Sequence, residues 1–210
     1  MKTYLLSTAY FAPIPYYARL ASADSAVVLE RHEHYNKQSY RNRCTICSAN
    51  GLLDLVVPIA KSPDPKIPIT EVRISYDMPW QKLHFKAVES AYRRSPFYEY
   101  YIDELSIFFD KRFGYLYDFN MQIMLTVCDL LRIPCRIRES ESYMGANTNS
   151  VDLRDAIHPK KRKQIRDADF ESRQYTQVFS DKFGFVPDLS ILDLLFNTGP
   201  DAVNYLQKQP

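Results

Sequence analysis

The stretch TYLLSTAYFAPIPYYARLASADSAVVL, residues 3–29, decides the fold. Its apolar pattern predicts a buried strand over residues 3–8, a short helix over 13–23 that begins with two prolines, and a second apolar strand over 26–29. Two strands joined by a crossover helix run parallel, and such crossovers are right-handed in nearly all proteins. The sequence therefore predicts an α/β domain with a mixed, partly parallel sheet begun by this N-terminal βαβ unit.

The next part of the chain combines a hairpin with helices. Asn50-Gly51 separates two apolar stretches, and this dipeptide is a strong signal for a β-hairpin between residues 43–48 and 52–59. Apolar residues at helical spacing then predict a helical middle third. The elements expected there are a helix from Pro79 with Trp80, Leu83, His84, Ala87, Val88 and Ala91 on its apolar face, a helix from Pro96, a helix over residues 118–132 and a strand over 135–138.

The C-terminal part is predicted to end in a helix pair. Ser190 has the properties of a helix N-cap, and Asp193 three residues later completes the pattern of a capping box. Gly199-Pro200 then ends one helix and begins the next. A polar loop over residues 140–150 and a charged segment from Arg154 to Arg166 precede this pair.

Length and composition indicate one globular domain spanning residues 1–210. Hydrophobic residues make up 46% of the chain, and 27 Lys and Arg against 25 Asp and Glu leave a net charge of only +2. The four cysteines are too few for a disulfide framework, so we expect reduced thiols. No stretch approaches the roughly 18 apolar residues of a membrane span, and a cytoplasmic location is the expected default.

The small net charge conceals two basic segments. Residues 31–43 carry a net +3 and residues 154–166 a net +5, which leaves −6 for the rest of the chain. Positive charge confined to two segments favours a small anionic ligand, because nucleic acid needs a continuous basic surface. A solvated, structurally neutral role for the run at 160–163 is the alternative interpretation.

The densest polar cluster is His32-Glu33-His34-Tyr35, which follows the second strand of the βαβ unit. In an extended chain, His32 and His34 project to the same side. They could act in acid/base chemistry beside Lys37 and Arg43, or bind a metal with a third ligand, or be structural. His84, on an apolar helix face, is expected to be a core histidine.

His158 is a further candidate because Pro159 biases its backbone toward an extended conformation beside the basic run. Nucleotide-binding glycine loops, a Walker A loop, a nucleophile elbow and zinc-protease motifs are all missing from the sequence. The sequence therefore gives no motif for a cofactor or a metal, and we expect neither.

Several motifs follow one another in a fixed order along the chain. They are Tyr10-Phe11-Ala12-Pro13, His32-Glu33-His34-Tyr35-Asn36-Lys37 with Asn42-Arg43, Val57-Pro58, Ile157-His158-Pro159-Lys160, and the segment from Phe185 to Asn197. Together they resemble the WbqC-like protein family, and the resemblance covers nearly the whole chain. It implies a bacterial protein from O-antigen or other surface-polysaccharide gene clusters, and thus a role in building or modifying activated sugars.

The resulting hypothesis is a transferase acting on an anionic, nucleotide-linked sugar, with acyl or aminoacyl transfer as one form of the reaction. The expected catalytic residues are His34, His158 and His32. The expected substrate-binding residues are Tyr10, Lys37, Asn42, Arg43, Lys160 and Arg162. The alternative is a non-enzymatic binding or scaffold protein of a polysaccharide assembly pathway. We expect no nucleic-acid partner.

Overall fold

The computed structural model describes residues 2–22, 25–134, 136–145, 150–161 and 170–207, without the side chain of Lys161. Its N-terminal unit contains strand β1 (Lys2–Leu6), helix α1 (Ile14–Ala21) and strand β2 (Ser25–Leu29). The two strands pair in parallel. This confirms the predicted βαβ unit.

Two short strands extend this unit into a four-stranded sheet. Strand β5 (Ile137–Glu139) pairs with β2, and strand β6 (Val151–Asp152) pairs with β1, so that the order is β5-β2-β1-β6. All three pairings are parallel. The carboxyl ends of all four strands therefore lie at one edge. The chain order reverses between β1 and β6, which is where open parallel sheets form a ligand crevice.

The antiparallel pairing lies in a separate hairpin of strands β3 (Arg43–Ser48) and β4 (Gly51–Val56). Gly51 has a positive φ of 99° and pairs with Ser48, so the turn residues are Ala49 and Asn50 rather than the predicted Asn50 and Gly51. The second strand ends at Val56, earlier than the predicted residue 59. Val57 still donates its N–H to the Asn42 carbonyl, but the next residue, Pro58, has no N–H with which to continue the pairing.

The helical middle and the C-terminal helices are also confirmed. Leu83, which was predicted to lie on the apolar face of α2, is instead exposed, and Gln81 and Tyr92 are buried. The described helices after α1 are α2 (Trp80–Tyr92), α3 (Tyr98–Asp110), α4 (Leu116–Leu130), α5 (Ser180–Phe183), α6 (Ile191–Thr198) and α7 (Ala202–Gln207). None of the helices in the described ranges is long and apolar enough to cross a membrane.

An aromatic core joins the N-terminal unit to the helices. Tyr10 stacks on Phe119 with ring centroids 5.6 Å apart, and Trp80 meets the same ring edge-on. His84 is buried there, with Nδ1 2.9 Å from the Tyr10 hydroxyl. The prediction of a core histidine is therefore confirmed.

The loop after β1 is locked to the start of α6. Phe11 is fully buried with a φ of 37°, a left-handed conformation that bulky residues rarely adopt. Its carbonyl accepts a hydrogen bond from Ser190 Oγ at 2.8 Å. The Ile191 N–H also donates to the Ala12 carbonyl at 2.9 Å. These bonds hold the loop in a backbone conformation that it would not adopt by itself.

The predicted capping box is only half present. Ser190 is the N-cap, since its side chain accepts a hydrogen bond from the Leu192 N–H. The Asp193 carboxylate does not close the box, because it accepts hydrogen bonds from Tyr175 Oη at 2.6 Å and Gln177 Nε2 at 2.8 Å. Asp193 therefore ties the segment before α5 to α6.

Candidate functional site

A cavity of about 640 Å³ lies at the carboxyl edge of the parallel sheet. Residues that follow β2 form much of its wall, while residues that follow β5 and β6 complete it. The lining residues are His32, Glu33, His34, Asn36, Arg41, Tyr143, Arg154 and Asp155. The cavity thus brings the first basic segment of the sequence next to the beginning of the second.

A buried ion pair forms the base of this cavity. The carboxylate of Glu33 accepts hydrogen bonds from Arg41 through Nε at 2.8 Å and Nη2 at 2.5 Å. Ser7, which follows β1, joins them by donating to Glu33 at 3.0 Å and accepting from Arg41 at 2.6 Å. Both charged side chains are about 5% exposed. The bidentate geometry compensates much of the desolvation cost that such burial imposes.

Arg154 is held in the same way on the other side. Its Nε and Nη2 donate to the two carboxylate oxygens of Asp152 at 3.0 and 2.6 Å. These charge-assisted bonds lower the pKa of Asp152 below its usual value. Arg154 and Arg41 also both line a second cavity, of only about 10 Å³, between β1 and β6. The two guanidinium groups therefore flank the point where the strand order reverses.

The buried carboxylate of Glu30 positions His32. One oxygen of Glu30 accepts hydrogen bonds from the His32 N–H and from Ser140 Oγ, both at 2.7 Å. The other accepts the Met144 N–H at 2.7 Å, so Glu30 fixes the loops that follow β2 and β5. Nε2 of His32 lies 3.1 Å from the Ser140 carbonyl, which can only accept. The neutral ring of His32 is therefore protonated at Nε2, and Nδ1 keeps its lone pair.

The other cavity residues are more accessible. His34 and Asn36 are exposed. Tyr143 is 61% exposed, and the Arg154 guanidinium lies 5.4 Å from the centre of its ring. The carboxylate of Asp155 is exposed and has no hydrogen bond or ion pair with any described residue. The side chains of His34, Asn36 and Asp155 could contact a polar ligand without first breaking a hydrogen bond or ion pair with another described residue.

The structure brings only some of the predicted site residues together. His32 and His34 line the cavity, whereas His158 and Lys160 do not, although they lie only a few residues beyond Asp155. His158 is half-buried, and its Nδ1 accepts a hydrogen bond from the Lys160 N–H at 3.2 Å. Arg162 lies outside the described residues.

Four predicted substrate-binding residues lie away from the cavity lining. Tyr10 is in the aromatic core. Asn42 is buried and donates to the Val57 carbonyl at 2.9 Å. Arg43 is in the hairpin, where its guanidinium lies 3.9 Å from the Asp54 carboxylate. Lys37 is exposed beside the lining residue Asn36.

Sequence reasoning missed the two arginines that face the cavity. Arg41 and Arg154 contributed only to the net charge of their segments, since nothing in the sequence predicts β6, a two-residue strand that places Arg154. The sequence does contain a signal for Arg41. If Glu33 is buried, its carboxylate needs a cationic partner, and Arg41 is a cation nearby in the sequence. Among the described residues, no three His, Cys, Asp or Glu side chains form a group that could hold a metal ion.

Comparisons with known proteins agree with the sequence motifs. The model of the WbqC-like protein family matches residues 8–164 and, in a second overlapping match, residues 153–205. The chain is also similar to the uncharacterized protein Rv1507c of Mycobacterium tuberculosis, with 26% identity over 216 residues and coverage of 91% of each chain. No solved structure matches it. Because the family match spans nearly all of the chain, this protein is a member of the WbqC-like protein family.

Proposed function

We propose that the protein is a transferase that modifies a nucleotide-linked sugar of bacterial surface-polysaccharide biosynthesis. The observation that carries the proposal is the pair of histidines, His32 and His34, on the wall of one cavity at the carboxyl edge of a parallel sheet. Membership of the WbqC-like family supports the assignment to polysaccharide clusters. A cavity of about 640 Å³ has room for a sugar ring and the group transferred to it.

The proposed chemistry is acyl transfer from a thioester or a similarly activated acyl donor. A histidine nitrogen takes a proton from the accepting amine or hydroxyl as that atom forms a bond to the acyl carbon. The bond from the acyl carbon to sulfur then breaks, and the thiolate leaves with the proton that the histidine returns. His32 suits this role because its Nε2 is held by the Ser140 carbonyl and its Nδ1 can accept a proton.

The phosphates of the substrate need cations outside this reaction centre. Lys37, beside the lining residue Asn36, and Lys160 are our proposed contacts, and both are exposed. Arg162 and Arg43 belong to the same proposal. His158 is proposed as an additional proton carrier near these cations.

The test is turnover by purified protein with a panel of nucleotide-linked amino sugars and acyl thioesters, followed by mass spectrometry. Single changes of His32, His34 and His158 to Ala should identify the base by loss of product, with the melting temperature within a few degrees of the parent. Lys82→Ala, on the exposed face of α2, is the control for a surface change. Full activity in all three histidine variants would contradict acid/base catalysis by these rings.

A non-enzymatic binding protein remains the competing function. If the protein only binds, the nucleotide-linked sugars of the panel should bind without forming product, and their affinity should not depend on any of the three histidines. Calorimetry on the same proteins and ligands separates the two functions, since only an enzyme converts the bound sugar.

A further inference from the structure

Each arginine that lines the cavity already has a carboxylate partner, whereas one carboxylate that lines it has no cationic partner among the described residues. Arg41 is matched by Glu33, and Arg154 is matched by Asp152, in each case through the Nε and Nη2 nitrogens. The remaining charge that faces the cavity is the carboxylate of Asp155, which has no partner among the described residues. Among the described residues that line the cavity, an entering anion would meet the negative charge of Asp155, and both arginines there already have a carboxylate partner.

The cavity also offers donors for uncharged oxygens. Arg41, with a side chain only about 5% exposed, uses Nε and Nη2 for Glu33 and Ser7. Its third nitrogen, Nη1, has no acceptor among the described residues. A guanidinium whose charge is already neutralised still donates hydrogen bonds, so Nη1 can bind a hydroxyl or carbonyl oxygen. The half-exposed ring of Tyr143 provides an apolar face of the kind that packs against a sugar ring.

We infer that the cavity receives the ammonium-bearing end of an amino sugar, with the ammonium at Asp155 and a ring oxygen or hydroxyl at Arg41 Nη1. This inference rests on the proposed function and names the substrate class for it. The sugar end enters the cavity, and the phosphates stay outside, where the exposed lysines lie. It also specifies the acceptor as an amine, which Asp155 binds as the ammonium. The ammonium releases one proton to water, and the neutral amine then gives a second proton to the histidine as it forms the bond to the acyl carbon.

The experiment uses three pyranoses that differ mainly in charge: glucosamine, glucose and glucuronate. Each is titrated into the ¹⁵N-labelled full chain at about pH 6.5, where the sugar amine is protonated, and amide and side-chain shifts report binding at Asn36 and Tyr143. We expect glucosamine to bind about five- to tenfold more tightly than glucose, and glucuronate to bind more weakly than both. The preference should decrease as the salt concentration rises.

Asp155→Asn is the decisive variant, since it removes one charge from an exposed position and should keep the parent melting temperature. It should abolish the preference for glucosamine over glucose. Asp129→Asn, an exposed position on α4, is the matched control and should keep the preference. Equal binding of glucosamine and glucuronate, or a preference that survives Asp155→Asn, would overturn the inference.

The possible failures are distinguishable. If glucose and glucosamine shift the cavity signals equally, the inference about charge is wrong, while sugar binding and the proposed function stand. If none of the three sugars, and no nucleotide-linked amino sugar, shifts these signals, both the inference and the proposed function are wrong.

Discussion

His84 should make the stability of the fold depend on pH. The ring is 6% exposed, with Nδ1 at the Tyr10 hydroxyl and a hydrogen bond to the Val56 backbone. Burial lowers its pKa from 6.5 to about 4. Between these two values the unfolded chain binds a proton that the folded chain excludes. The stabilisation is therefore fully present above pH 6.5 and is lost as the pH falls toward 4.

The size of this effect follows from the gap between the two pKa values. At about 1.4 kcal/mol per unit, the free energy of unfolding should fall by about 2.5 kcal/mol between about pH 7.5 and about pH 4.5 from this group alone. Asp152, whose pKa is lowered from 3.8, acts in the same direction, although mainly below this pH range, and its effect adds to that of His84 at the acid end. The contribution of His84 must therefore be isolated by a variant.

His84→Gln removes the titrating ring, and urea unfolding followed by far-ultraviolet circular dichroism measures stability at both pH values. The parent should exceed the variant in stability at pH 7.5, and this excess should shrink by about 2.5 kcal/mol at pH 4.5. Leu83→Gln, at the neighbouring exposed position, should leave the pH dependence of the parent unchanged. An excess that is equal at the two pH values would refute a buried neutral histidine.

Three further changes test the contacts around the site and its supports. Arg41→Ala leaves the Glu33 carboxylate buried without its counter-charge and should cost about 3–5 kcal/mol in urea unfolding, whereas replacing both residues by Met should restore most of the loss. Ser190→Ala removes an N-cap and should lower the free energy of unfolding by about 1–2 kcal/mol; an unchanged value would contradict the capping role. Gly199→Ala should lower the melting temperature, because its Cβ would lie 2.5 Å from the Phe97 ring at a φ of +56°, and a neutral result would contradict this packing.

The fold could be predicted where a local pattern determines the structure. Residues 3–29 carry two apolar strands around a proline-started helix, and the parallel pairing follows from the connection. β6 could not be predicted, because two residues with exposed side chains carry no periodic signal. Its pairing depends on the edge that β1 presents, which is a tertiary property.

The site was predictable in position and less so in composition. His32 and His34 follow a predicted strand, so their place at the carboxyl edge of the sheet could be inferred from topology. The role of Asp193 could not be predicted, because an aspartate at this position also fits the pattern of a capping box. Only the fold brings Tyr175 and Gln177 to its carboxylate. Likewise, counting charges along 154–166 cannot show that Arg154 is neutralised by Asp152, which lies just before the segment.

The link between Ser190 and Phe11 has a consequence for biosynthesis. This hydrogen bond closes a loop of 179 residues, and the conformation of the segment after β1 depends on it. A ribosome-bound chain that stops short of residue 190 can make the N-terminal unit but lacks the contact that holds Phe11 in its left-handed conformation. Such nascent chains would expose the aromatic residues of that loop, and chaperones that bind apolar segments should associate with them until α6 has emerged.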